Sequence, residues 1–169
     1  MAPLLERPDM ADYGVPDTNE GLLPWSWAEE RLVNSRNYWI VTATPTGRPH
    51  AMPVWGAWLP DRERFWFSCA ASARKARNLQ ANDQIVVAPT DTVEVVSLEG
   101  RAVDVSGGDL GDHVQAFFDK YGAEMGQSLE EVGEFLTSNT SFEVTPERAF
   151  GMIERPDEFS ERATRWRWI

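Results

Sequence analysis

"NYWIVTATPTGRPHAMPVWGAWLPDRERFWFSCA", residues 37–70, decides the fold. Its first run, "YWIVTAT", is β-branched and aromatic, the composition of a pleated, half-buried surface. "PTGRP" reads as a turn in which Gly47 supplies a positive φ at no steric cost. "HAMPVWGAWL" is a second strand; Pro53 inside it cannot donate to a ladder, which places it at an edge or a bulge. "PDRE" turns the chain again and "RFWFSCA" runs back. Three strands so closely spaced form an antiparallel meander, because no crossover helix fits between them.

Next, "SARKARNLQAND", residues 72–83, changes to a helical period. Ala73, Ala76 and Leu79 fall on one side, Arg74, Arg77 and Asn78 on the other, with Lys75 at the flank. Ser72 is placed to cap this helix. "QIVVAPT" and "TVEVVSLEGRAVDVS" are further strands. In the second, Val93, Val95 and Leu98 oppose Glu94 and Glu99, and Gly100 marks a bulge. "GGDLGDHVQAFFDKYG" and "SLEEVGEFLTSN" are helices, the first with Asp109 as cap, the second with Ser128 and Glu131 in capping-box spacing. "SFEVTPERAFGMIER" is a strand, "PDEFSE" a loop, and "ATRWRWI" a closing strand. Upstream, "PWSWAEERLVNSR" is a helix with Ser26 as N-cap, Glu29 completing a capping box, and Trp25, Leu32 and Val33 on its buried side. Residues 1–24, rich in Pro, Gly and Asp, form an N-terminal arm. Residues 25–169 then make one domain, mainly β with inserted helices. The expected architecture is an antiparallel β-barrel of about six or seven strands.

The 169 residues suffice for one core, and the net charge of −11 argues against general nucleic-acid or anionic-membrane binding. The charge is uneven. From Arg36 to Arg77 seven Lys/Arg face two acids; from Asp104 to Glu161 fourteen acids face three bases. Cys69 is the one cysteine, so no intrachain disulfide forms, which fits a reducing, cytoplasmic location. With only His50 and His113 besides, a zinc site is not expected. "MAPLLERPDMADYG" lacks the basic and apolar regions of a signal peptide, and no run is long enough for a membrane span.

Two stretches carry candidate chemistry. The start of the "SARKARNL" helix offers free amides and a positive dipole end, with Arg74 and Lys75 adding ionic hydrogen bonds and Ser72 a hydroxyl; this suits a phosphate. The competing reading is a solvated amphipathic helix. Basic residues in a first turn oppose the dipole, which favours a compensating ligand. In "GRPHAMPVWGAW", the proline leaves ladder groups free for a flat polar heterocycle, and Arg48 and His50 lie within reach of an anion. The competing reading is an ordinary edge strand. Cys69 has no histidine near it in sequence and reads as a packing residue. No nucleophile elbow, P-loop, dinucleotide fingerprint or zincin motif occurs.

Taken in order, "YWIVTATPTGRPHAMPVWGAWLPDRERFWFSCAASARKARNLQANDQIVV" and "VVSLEGRA" resemble the split β-barrel flavin and deazaflavin proteins, the pyridoxamine 5′-phosphate oxidase-like group. The likeness covers about residues 38–103. "KARNL" and the closing "ATRWRW" are similar to the F420-dependent, actinobacterial branch. The resemblance implies an FMN-binding type of split barrel, a cytoplasmic homodimer with cofactor sites at its interface, and coenzyme F420, with FMN the alternative. It implies that Ser72, Arg74, Lys75 and Asn78 meet the cofactor phosphate. The ring would lie along His50, Met52, Pro53, Val54 and Trp55 and near Phe67, Ser68 and Cys69, with Trp166 and Trp168 reaching the partner's site. The activity implied is hydride transfer to an enone, activated alkene or quinone-like acceptor, with no catalytic side chain required. Arg48 or Tyr38 would at most orient or protonate substrate. An FMN-dependent pyridoxamine phosphate oxidase-like enzyme and a non-catalytic flavin- or F420-binding protein are the alternatives.

Overall fold

The structure, a computed structural model, describes residues 3–169. The stretch 37–70 forms the expected antiparallel strands, but as two hairpins rather than one three-stranded meander: β2 (Tyr38–Ala43) with β3 (Pro49–Val54), and β4 (Gly56–Leu59) with β5 (Arg64–Cys69). β2 pairs antiparallel with β3, and β4 with β5. The expected second strand is broken at Trp55 into β3 and β4. Gly47 takes φ +83° in the first turn, where its amide donates to the Thr44 carbonyl at 2.8 Å. Pro53 faces Trp39 on the outer strand of the ladder, the position a residue without an amide proton tolerates.

Three later strands complete the barrel: β6 (Gln84–Pro89), β7 (Glu94–Asp104) and β8 (Thr140–Ile153). The ladder runs β4–β5–β8–β7–β6–β2–β3, with every pairing antiparallel. Its ends, β3 and β4, are successive pieces of one chain segment and are not bonded to each other. The sheet therefore curls round without closing, as a split barrel does. β9 (Thr164–Arg167) extends it beside the second half of β8, and β1 (Leu4–Glu6) pairs with β9.

The interior follows from alternation. Tyr38, Ile40 and Thr42 of β2, Ile85 and Val87 of β6, and Phe65 and Phe67 of β5 point inward. In β7 the inward set is Val96, Leu98 and Ala102; the expected Val93 precedes the strand and is exposed, and Val95 lies on the face alternate to Val96 and is only partly covered. The bulge at Gly100 is present: the register shifts between Glu99 and Gly100, and a Cβ on Gly100 would meet the Thr145 carbonyl oxygen at 2.1 Å. α1 (Trp25–Asn34) and α2 (Arg74–Ala81) close the barrel with Ala28, Leu32, Ala76 and Leu79. A second core lies outside β5, where Trp66 packs under α3 (Gly111–Met125) and α4 (Leu129–Thr137) against Phe117, Tyr121, Val132 and Leu136.

Several local expectations change. α1 is capped by Pro24 without a side-chain bond, so Ser26 is not its N-cap. Glu29 does not complete a box; its carboxylate accepts from Trp58 Nε1 at 2.9 Å. Val33 is exposed. α2 begins at Arg74 with Ala73 as its N-cap residue, so Ser72 does not cap it. Asp109 does accept from the Gly111 amide at 2.9 Å, although Leu110 occupies the cap position. The Ser128–Glu131 capping box is formed in full. The loop expected at "PDEFSE" contains a short helix, α5 (Phe159–Arg162). The N-terminal segment is tied down: Arg7 donates to the carbonyls of Thr18, Glu20, Glu161 and Ala163. Among the described residues, no helix is long and apolar enough to cross a membrane and no metal-ligating cluster occurs.

Candidate functional site

A cleft of about 280 Å³ opens where the broken strand, the end of β5, the start of α2 and the α3–α4 pair converge. Its lining includes Pro53, Val54 and Trp55 at the strand break and Ser68, Cys69 and Ala70 at the end of β5. Lys75 enters from α2, and Phe117, Phe135, Leu136 and Asn139 from the outer helices. The Trp55 ring is fixed by a parallel stack on Tyr121 at 4.9 Å and by Phe117 at 6.1 Å. Tyr121 is itself held at the break, where its hydroxyl oxygen accepts from the Gly56 amide at 3.1 Å and lies 2.9 Å from the Gly56 carbonyl. The amide groups freed by the interrupted ladder thus orient one wall of the cleft.

The other wall is basic. Sixteen cations occur in the chain, and among the described residues all but Arg48, Arg74 and Lys75 make an ion pair or a hydrogen bond. Arg74 and Lys75 lie near His50, whose pKa is lowered by burial and by their charges. His50 Nδ1 is buried without a hydrogen-bond partner, and so is Ser68 Oγ in the cleft. The first turn of α2 leaves its amides without intrahelical acceptors, and no side chain caps them. A chain with 27 acids has carboxylates enough to neutralise these groups and does not. Orphaned donors at a helix start beside an aromatic cleft fit a planar group that carries a phosphate.

Of the residues expected at a cofactor, Pro53, Val54, Trp55, Ser68, Cys69 and Lys75 line the cleft, and His50 and Arg74 join its basic end. Met52 is 44% exposed, on the strand that carries the wall. Ser72 is exposed, and its carbonyl accepts from Arg77, which removes that cation from the free set. Asn78 does not lie on the outer face: it is buried, and Nδ2 donates to Thr42 Oγ1 at 2.9 Å. Phe67 turns into the barrel and stacks on Phe142, so it does not reach the cleft. Trp166 is wholly buried beside Trp25 and over Gly151, and Trp168 meets Trp25 edge-on at 4.8 Å. Trp166 therefore belongs to this chain's own core and is corrected as a contact to a partner's site. Tyr38 is sealed in the interior with its hydroxyl donating to the Leu32 carbonyl, which removes it as a substrate proton donor. Burial raises the Cys69 thiol pKa, with Lys75 opposing, so the thiol stays protonated and lines the site by shape. The residues that sequence reasoning missed, Ala70, Phe117, Phe135, Leu136 and Asn139, come mostly from helices far along the chain. Their one local signal is Phe135, an exposed aromatic on an otherwise amphipathic helix.

Solved structures share the fold. A conserved hypothetical protein from Mycobacterium tuberculosis aligns with TM-score 0.66 and 18% identity, over 82% of this chain and 89% of that one. The heme storage protein HutZ from Vibrio cholerae aligns with TM-score 0.61 and 17% identity, over 76% and 96%. An F420 reductase aligns with TM-score 0.54 and 20% identity, over 72% and 94%. Among curated proteins none matches the chain with significance. The family model described as pyridoxamine 5′-phosphate oxidase matches residues 28–152, which spans the barrel, the basic helix and both cleft helices. That match covers most of the chain, and the protein belongs to this family of split-barrel, flavin-type cofactor proteins.

Proposed function

We propose that the protein is an oxidoreductase that binds coenzyme F420 in this cleft and passes hydride to an electron-poor small molecule. The observation that carries the reading is the unneutralised basic end, Arg74 and Lys75 with the uncapped start of α2, next to an aromatic cleft. Arg74, Lys75 and the first-turn amides hold the phosphate; the Pro53–Trp55 segment supports the ring; Phe117 and Leu136 keep water from its buried edge. When bound and reduced, the cofactor supplies a hydride, and the acceptor takes up that hydride and one proton from water. The reading assigns no acid–base role to Tyr38, which is sealed, or to Cys69, whose thiol burial makes a poor base. The likeness of "KARNL" and "TRWRW" to the deazaflavin branch, and a fold shared with a solved F420 reductase, favour F420 over FMN. For a homodimer we point to Met52, 44% exposed on the end strand β3, and to Trp39, 45% exposed on the other face of the neighbouring strand β2.

Separate titrations with F420 and FMN, read by tryptophan fluorescence, test this. Trp55 in the cleft makes quenching the expected signal, with F420 the tighter ligand. FMN retained through purification with no response to F420 overturns the cofactor assignment. Binding of F420 without oxidation of its reduced form by enones or quinones identifies a carrier rather than an enzyme.

A further inference from the structure

The cleft has two chemically different ends. At α2 it is basic. At the other side it is walled by the last turn of α4, which presents Phe135 with 52% of its surface exposed, beside the buried Leu136. What distinguishes Phe135 from the other exposed apolar side chains is its place in the cleft lining, where its ring presents a face to whatever enters.

The backbone under Phe135 is fixed from several directions. The Phe135 carbonyl accepts from Ser138 Oγ at 2.7 Å and from Asn139 Nδ2 at 2.9 Å. Thr137 Oγ1 donates to the Gly133 carbonyl at 2.8 Å. The capping box of Ser128 and Glu131 fixes the opposite end of α4. Asn139 also lines the cleft, so the residue that bonds the Phe135 carbonyl is part of the same wall. The ring is exposed, and its platform is rigid.

The charge around it has one sign. α4 carries Glu130, Glu131 and Glu134, all exposed, and no Lys or Arg. Its Glu131 carboxylate is held by the Ser128 amide, which lowers its pKa and keeps it anionic at neutral pH. None of these acids lines the cleft, but they give the helix that carries Phe135 a negative field, whereas Lys75, the one cation in the cleft lining, belongs to the phosphate end.

We propose that Phe135 is the specificity wall for the second substrate, stacking on a planar, uncharged acceptor that the acidic α4 selects over anionic analogues. This rests on the cofactor reading, since the acceptor occupies what the cofactor leaves of the cleft. Phe135 acts on binding of the acceptor and not on the cofactor.

Equilibrium dialysis tests it with 2,3-dimethyl-1,4-naphthoquinone, a neutral probe without a free position for thiol addition, and 2-hydroxy-1,4-naphthoquinone, an anion at neutral pH. Both are measured with the parent, Phe135→Ala and Phe135→Tyr. The expected result is that Phe135→Ala weakens the neutral probe about three- to tenfold, the scale of one aromatic pair. Phe135→Tyr restores it, and the anion binds more weakly than the neutral probe to the parent. F420 and FMN affinities stay within about twofold of the parent in both variants, because an aromatic pair acts only on the ring it stacks against. The melting temperature of Phe135→Ala should be unchanged, which separates a lost wall from lost folding. Equal binding of the neutral probe by parent and Phe135→Ala, or equal binding of the two probes by the parent, overturns the proposal. A parallel loss of cofactor affinity in Phe135→Ala also overturns it and assigns the ring to the cofactor. If the parent binds neither F420 nor FMN but still binds the neutral probe through Phe135, the wall stands and the cofactor reading fails.

Discussion

Replacing Lys75 or Arg74 should weaken ligand binding and stabilise the free protein. Neither side chain has a partner among the described residues, so its removal breaks no ion pair or hydrogen bond. Both stand in the first turn of α2, where a positive charge opposes the helix dipole by roughly 0.3–1 kcal/mol. Lys75→Ala and Arg74→Ala should therefore raise stability by a few tenths of a kcal/mol, with alanine's helix propensity acting in the same direction. The cost appears only with ligand. A hydrogen bond to a charged group is worth about 1.5–3 kcal/mol, a loss of roughly 10- to 150-fold in affinity for each residue. Arg77→Ala is the control: it lies on the same helix, its guanidinium is bonded to the Ser72 carbonyl, and it should leave ligand affinity within about twofold while costing on the order of 0.5–1.5 kcal/mol of stability. Urea unfolding and F420 or FMN titration of the same four proteins give both numbers. If Lys75→Ala loses about 1 kcal/mol of stability or more, or if both variants bind as the parent does, the cationic cradle is structural and the reasoning fails.

Two further substitutions probe the frame. Asn78→Ala removes the donor to Thr42 Oγ1, which is 2% exposed, and should cost about 1–3 kcal/mol in urea unfolding while affinity for cofactor changes little; a large affinity loss with unchanged stability would place Asn78 at the phosphate instead. Lys120 lies against Tyr38 and the Gly56 carbonyl, and burial lowers its pKa to about 8 from 10.5. The unfolded chain binds the proton more tightly, so stability should rise as pH goes from about 8 to above 10. Discounted for partial exposure, the gain is on the order of 1–2 kcal/mol. Lys120→Met should flatten that segment of the stability–pH curve and stabilise the protein at pH 7; an unchanged slope would show that the ammonium is solvated.

The β framework is legible in the sequence because its signals are local. "YWIVTA" alternates inward Tyr38, Ile40 and Thr42 with outward Trp39 and Val41, and Gly47 and Gly100 stand where a turn and a close approach need them. The Ser128–Glu131 box is legible because both bonds close within one turn. Ser26 and Glu29 have the same spacing, but Trp58, twenty-nine positions along the chain, claims the Glu29 carboxylate. Helical period placed Asn78 outward; Thr42 from β2 draws it in, a tertiary contact that no window of α2 contains. Alternation correctly gave Trp166 a face of β9 but not what covers it. Trp25 from α1 does, which turns an expected intersubunit contact into core. The basic end of the site was visible because its cations adjoin in sequence. The wall made by Phe117, Phe135 and Asn139 was not, because it is assembled from α3 and α4 against a strand break that only the three-dimensional pairing of β3 and β4 reveals.

The most direct test of the account is a crystal structure of the protein grown with F420 or FMN. The account predicts the phosphate within hydrogen-bond distance of Arg74, Lys75 and the first amides of α2, and the ring against Pro53–Trp55, near Ser68. A cofactor found elsewhere, or a phosphate held away from α2, contradicts it.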